Sequence, residues 1–221
     1  MAGDLFEDSQ VDSGLVREVV ELLSGQSTPV FILPGNHDPA SGPGSIWQRE
    51  VWKGLPDHVR TFEEAGCAPL GEGWLLASPL FQKRSTKDPS EKLEPLLSEV
   101  PADAMKVGMT HGSLAIPGQH QPDDHPIDPQ AATKLGLDYL ALGHWHNWRE
   151  EDGGRIIMPG TPEQALLAFS RVLPVPITCA PRSANTRMVS RPKPELQPVT
   201  MAVFPVKSNP RVTSSAVDVA P

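Results

Sequence analysis

Pro29-Val30-Phe31-Ile32-Leu33, followed at once by Pro34-Gly35-Asn36-His37-Asp38, is the stretch from which the fold is read. A continuous apolar run of strand length, stopped by Pro-Gly, suits a strand buried on both faces. The polar residues then fall at its carboxyl end, where open α/β sheets bind ligands.

Ahead of this run, Gly14 to Ser24 places Leu15, Val16, Val19, Val20, Leu22 and Leu23 at mixed i, i+3, i+4 spacing, with Arg17, Glu18 and Glu21 on the other face. This predicts a short amphipathic helix that stops at Gly25. Further strands are predicted at His58 to Phe62, Trp74 to Ala77, Lys106 to Met109, Tyr139 to Leu142 and Arg155 to Met158. A second helix is expected over 128–136, with Asp128 as N-cap, Pro129 at its first position and Gly136 just past its end. Strands mixed with helices place the chain in the α/β or α+β class. No internal repeat is present.

Four polar clusters stand where apolar runs stop: Gly3-Asp4-Leu5-Phe6-Glu7, Gly35-Asn36-His37-Asp38, Thr110-His111-Gly112 and Gly143-His144-Trp145-His146. Any one of them is ordinary turn chemistry. Together they assemble carboxylate, amide and imidazole donors, the set that suits a two-metal hydrolytic site. His144 and His146, being alternate residues, cannot project to the same side of a regular strand. They are therefore expected on a loop or a turning strand end. The remaining histidines, His58, His120 and His125, are read as loop or surface residues.

These blocks, in the order GD-x-x-[D/E], GNHD, H and GHxH, resemble the calcineurin-like metallophosphoesterase superfamily from Gly3 to about Glu163. The resemblance implies an αββα sandwich and two divalent metals, manganese first among them. It implies Asp4 as the bridging carboxylate, with Asn36, His111 and His144 completing one metal site and His146 belonging to the other. His37 would contact the phosphate and protonate the leaving oxygen, with Asp38 orienting it; these two are the expected catalytic pair.

Within the superfamily, Gly136 to His146 and Pro159-Gly-Thr-Pro-Glu163 are most similar to the SbcD-type DNA repair exonucleases. That similarity implies DNA as substrate, a manganese cofactor, an SMC-like coiled-coil ATPase partner and a homodimer. A small-molecule or cyclic-nucleotide phosphodiesterase is the alternative, as is an inactive fragment retaining one metal site. Family members carry a D-x-H strand ahead of the GD block, whereas here that block begins at residue 3. The expectation is thus an incomplete sandwich lacking the first strand and helix, with one complete metal site.

Composition separates two parts. The 221 residues include 25 prolines, nine of them in 172–221, and that tail has six Lys/Arg against two Asp/Glu. With a net charge of −8 overall, the tail is +4 and residues 1–171 are −12. The expected division is a partial phosphoesterase domain over 1–171 and a proline-rich basic tail over 172–221, disordered or out of frame, with one strand candidate at Val199 to Val206. DNA binding by phosphate neutralisation wants a basic surface, so the composition of this acidic body gives no independent support for DNA as substrate. No run approaches a membrane span, and the acidic first residues are unlike a signal peptide, so a cytoplasmic protein without membrane contact is expected. Cys67 and Cys179 lack any Cys-x-x-Cys spacing, which argues against a thiolate zinc site.

Overall fold

Six strands hydrogen-bonded in one sheet organise the computed structural model, which describes residues 1–161. The proline-rich tail, its strand candidate and Cys179 lie outside the described residues. The strands are β1 (Val30–Ile32), β2 (Val59–Thr61), β3 (Gly66–Leu70), β4 (Gly73–Ser78), β5 (Lys106–His111), β6 (Tyr139–Gly143), β7 (Arg149–Glu151) and β8 (Ile156–Met158). The large sheet runs β3-β4-β5-β6-β8-β7, while β1 and β2 form a separate parallel pair. Its central strands β4, β5, β6 and β8 are parallel, and the edge strands β3 and β7 are antiparallel to their neighbours. This mixed α/β architecture agrees with the sandwich expected from sequence.

The continuous apolar runs are explained by burial on both faces. In β6, Leu140 and Leu142 enter one core with Leu76, Leu93, Leu114, Ile127 and Ile156. Tyr139 and Ala141 enter the opposite core with Leu75, Ala77, Val107 and Met109. Each fully buried leucine of this kind contributes about 1.5–3 kcal/mol relative to exposure, so the centre of the sheet is its most stable part. A third core gathers Ile32 and Val59 with Phe6, Val16, Trp47 and Trp52, the two indoles lying 4.9 Å apart between ring centroids.

Helix α1 (Ser13–Ser24) begins one residue before the predicted helix, because the Asp12 carboxylate caps it by accepting the Gly14 N–H at 2.8 Å. Helix α2 (Ala131–Leu135) is shorter than predicted. The Asp128 carboxylate accepts the Gln130 N–H at 2.8 Å and pairs with Lys134, which closes a turn ahead of the helix, so Asp128 is not its cap. Gly136 ends it in the left-handed conformation, as expected.

Two strands escaped the sequence reading, β3 with Pro69 and β7 with Arg149-Glu150-Glu151. Both are sheet edges, where proline is tolerated and charge discourages further pairing. Among the described residues no helix is long and apolar enough to cross a membrane.

Candidate metal centre

Parallel pairing brings the polar clusters to one edge of the molecule. In the β5–β6 register His111 is opposite Gly143, so His111 and His144 emerge from neighbouring strand ends. Leu33, at the end of β1, bridges to Ala2, which sets Asp4 and Asn36 beside each other on the two connected loops. The four clusters read from the sequence thus converge, although Thr110 and His111 are the last residues of β5 itself and do not lie on a loop.

The geometry is built around His111, which is fully buried. Its Nδ1–H donates to the Ala2 carbonyl at 2.6 Å, so in the neutral imidazole it is Nε2 that carries the lone pair. Nε2 lies 2.8 Å from Asn36 Oδ1, 3.1 Å from Asp4 Oδ2 and 3.2 Å from His144 Nδ1. His144 Nδ1 is also 2.9 Å from Asn36 Oδ1. Asp4, His111 and His144 each offer a ligand atom within 4.8 Å of the others, and Asn36 supplies an amide oxygen among them. Oxygen and imidazole lone pairs crowded at these separations repel unless a proton or a cation lies between them, so the donor set fits one divalent ion.

The electrostatics follow from that crowding. Burial alone would raise Asp4, but the charge and hydrogen bond of His111 overcome it and hold the carboxyl well below the usual range. Burial likewise disfavours the His111 imidazolium, yet Asp4 outweighs it and the net shift is upward. His144 is lowered, first by burial and then by the charge of His111. In the metal-free chain a proton shared from His111 Nε2 would separate the crowded donors.

The scaffold of the site is tight. Asp4 and His144 are held at positive φ, 55° and 132°, conformations that non-glycine residues adopt only where surrounding structure enforces them. A Cβ at Gly143 would lie 1.9 Å from the Ala2 carbonyl oxygen, and one at Gly35 would lie 2.2 Å from Asp4 Oδ1. These glycines therefore make room for the ligand residues and the loop behind them.

Of the expected catalytic pair, Asp38 is placed differently from its sequence-based role. It is completely buried, and its carboxylate accepts backbone N–H groups from Gly35, Asp4, Leu5 and Phe6 at 2.7, 3.2, 2.9 and 3.1 Å. With both oxygens occupied it ties the Gly3–Phe6 loop to the Gly35 turn. The group beside the His37 ring is Glu7, whose carbonyl lies 2.9 Å from Nδ1 and whose carboxylate lies 3.5 Å away. Burial, followed by the Asp4 charge, pushes Asp38 up to about 7, although all four of these partners are donors that favour its ionised form.

His146 is not brought into the cluster. It is exposed on the loop after β6, where it lines a groove of about 540 Å³ with Gln119, His144, Trp145, Asn147 and Arg149. His125 departs from its reading as a surface residue, being 3% exposed at a φ of 51°. Beside it, Asp124 was missed altogether. Its carboxylate lies 2.8 Å from His144 Nε2, across 20 residues of sequence with no motif to reveal the pairing. Glu7 stood within a cluster already singled out, but only the fold shows that it faces His37.

A family model described as calcineurin-like phosphoesterase matches residues 1–148, two thirds of the chain and all seven candidate residues. The chain belongs to the calcineurin-like phosphoesterases. No curated protein matches it. Membership makes this chain a metallophosphoesterase, and the convergence of Asp4, Asn36, His111 and His144 gives the divalent metals that the phosphoesterase family implies a place to bind.

Proposed function

We propose that this metal-dependent phosphoester hydrolase is a phosphodiesterase acting on DNA, a repair nuclease of the SbcD type that uses manganese. The observation that carries the metal chemistry is the meeting of the buried His111 Nε2 with Asn36, Asp4 and His144 in one cluster. The DNA assignment is supported by the similarity of Gly136 to His146 and of Pro159 to Glu163 to that group. Asp4, Asn36, His111 and His144 would hold one metal, and His146, at the groove, would serve a second. Bound there, a divalent cation supplies Lewis acidity toward the phosphate and a water of lowered pKa.

The protein's own groups do the rest. Asp4 is oriented by the His37 backbone N–H, which donates to its Oδ1 at 2.9 Å. The His37 ring, about a third exposed, gives its Nδ1–H to the Glu7 carbonyl and keeps Nε2 open. In its imidazolium form that Nε2 proton goes to the leaving oxygen. The groove beside the cluster, with Trp145 and the Arg149 guanidinium, receives the rest of the phosphodiester.

The proposed partners are a second copy of the chain and an SMC-like coiled-coil ATPase, in the cytoplasm, with the ATPase adding basic DNA-binding surface to residues 1–171, whose net charge is −12. That same acidity favours a second reading, turnover of a small or cyclic phosphodiester. The manganese-loaded protein is offered linear duplex DNA, a cyclic nucleotide and bis(p-nitrophenyl) phosphate. Shortening of the duplex is expected. Hydrolysis of the cyclic nucleotide with intact duplex would transfer the assignment to the second reading, and turnover of none of the three would leave a chain that retains a metal site without activity.

A further inference from the structure

We propose that Asp124 is a positioning residue that fixes His144 in the tautomer whose Nδ1 lone pair faces the ligand cluster. The inference rests on the metal-site reading above.

A carboxylate has no proton to give, so the contact of 2.8 Å between Asp124 Oδ2 and His144 Nε2 places the imidazole proton on Nε2. A neutral imidazole carries only one N–H, and of the two acceptor oxygens that face the ring the ionised Asp124 carboxylate is the stronger, so the proton stays on Nε2 and Nδ1 is bare. That bare nitrogen is the atom 2.9 Å from Asn36 Oδ1 and 3.2 Å from His111 Nε2. The same carboxylate oxygen accepts the Ser113 Oγ–H at 2.6 Å, and Ser113 Oγ accepts the Trp145 indole N–H at 3.1 Å. One oxygen thus gathers the ligand, its sequence neighbour and the loop after β5.

His144 needs such an anchor more than His111 does. His111 is the last residue of a strand and is held by a backbone carbonyl, whereas His144 lies beyond the end of β6 at a φ of 132°. Asp124 is itself pinned from both sides. Its carbonyl accepts the Ser113 N–H at 3.2 Å, the Ile127 N–H donates to the Ser113 carbonyl at 2.7 Å, and the His125 N–H donates to the Ser85 carbonyl at 2.9 Å. Arg84 pairs with Asp123 next to it. A rigidly held carboxylate behind a ligand histidine sets both ring orientation and tautomer, and its loss weakens metal binding about 10- to 100-fold in comparable sites.

The test combines nitrogen-15 NMR of the imidazoles in the metal-free protein with calorimetric titration of Mn²⁺, on wild type, Asp124→Ala and Asp124→Asn. In wild type the His144 proton is expected on Nε2. Asp124→Ala is expected to mix the two tautomers and weaken Mn²⁺ about 10- to 100-fold. Asp124→Asn keeps an acceptor oxygen and is expected to restore most of both. A wild-type His144 proton on Nδ1 would overturn the proposal even if the alanine variant failed to fold, and so would unchanged tautomer and affinity in a folded Asp124→Ala. Should wild type bind no Mn²⁺ while Asp124→Ala still scrambles the tautomer, the metal reading fails and the positioning role stands.

Discussion

His111 Nε2 and Asp4 Oδ2 lie 3.1 Å apart in a pocket from which His111 is wholly shielded, and each holds the other in its charged form. Asp4 is shifted down and His111 up. A lowered carboxyl stabilises the fold above its unfolded pKa and loses that contribution as pH falls through its folded value. A raised imidazole stabilises below its unfolded pKa and loses it as pH rises through the folded one. Urea midpoints of the metal-free chain, followed from about pH 4 to about pH 9, should therefore fall on the alkaline side as His111 deprotonates. Mn²⁺ should show the opposite trend, binding more tightly as pH rises and releasing a proton on binding. A midpoint that rises through neutrality in the metal-free chain would contradict the pairing.

Asp38 supports a separate prediction about assembly of the site. Asp38→Asn replaces an oxygen that accepts two backbone N–H groups with an NH₂ group that donates, at a position with no solvent. Leaving buried donors unmet should destabilise the chain by about 2–4 kcal/mol. Denaturant unfolding measures the loss, and Mn²⁺ binding should weaken with it because Asp4 is on the loop that Asp38 ties down. A variant as stable as wild type would mean that Asp38 is not that tie.

Gly143→Ala should damage the centre through its backing. The added Cβ would meet the Ala2 carbonyl oxygen at 1.9 Å and His111 Nδ1 at 3.0 Å, which forces apart the hydrogen bond that fixes the His111 ring. Overpacking of this kind costs about 1–3 kcal/mol. The imidazole NMR signal of His111 should lose its fixed Nδ1–H, and metal affinity should fall; an unperturbed His111 resonance would refute the clash.

Gly136→Ala provides the contrasting case. A Cβ there meets nothing within 4 Å, but the residue closes α2 at φ 64°. The left-handed conformation costs a residue with a Cβ about 1–2 kcal/mol. Thermal unfolding should register that loss while Mn²⁺ affinity stays at the wild-type value.

The sequence made the strands legible wherever burial forced an apolar run, on both faces in Tyr139 to Leu142 and in part in Val30 to Leu33. It hid β3 and β7 because an edge strand is defined by backbone pairing that side chains need not announce. Two of the clustered donors were legible for a related reason: Asn36 and His144 each follow an apolar run that ends sharply. What could not be read was support from a distance. Asp124 behind His144 and Glu7 beside His37 are relations created by packing, and Asp38, adjacent to His37 in the chain, turns its carboxylate to the backbone of another loop.

The register that sets His111 opposite Gly143 gives the centre a second use, as a gauge of correct strand pairing. A slip of two residues between β5 and β6 would preserve which side chains face each core, so hydrophobicity alone would tolerate it. The same slip would carry the two imidazoles about 7 Å apart along the strands. Ligand capture would then fail in a molecule that still looked folded by its secondary structure, so metal uptake distinguishes the native pairing from its nearest impostor.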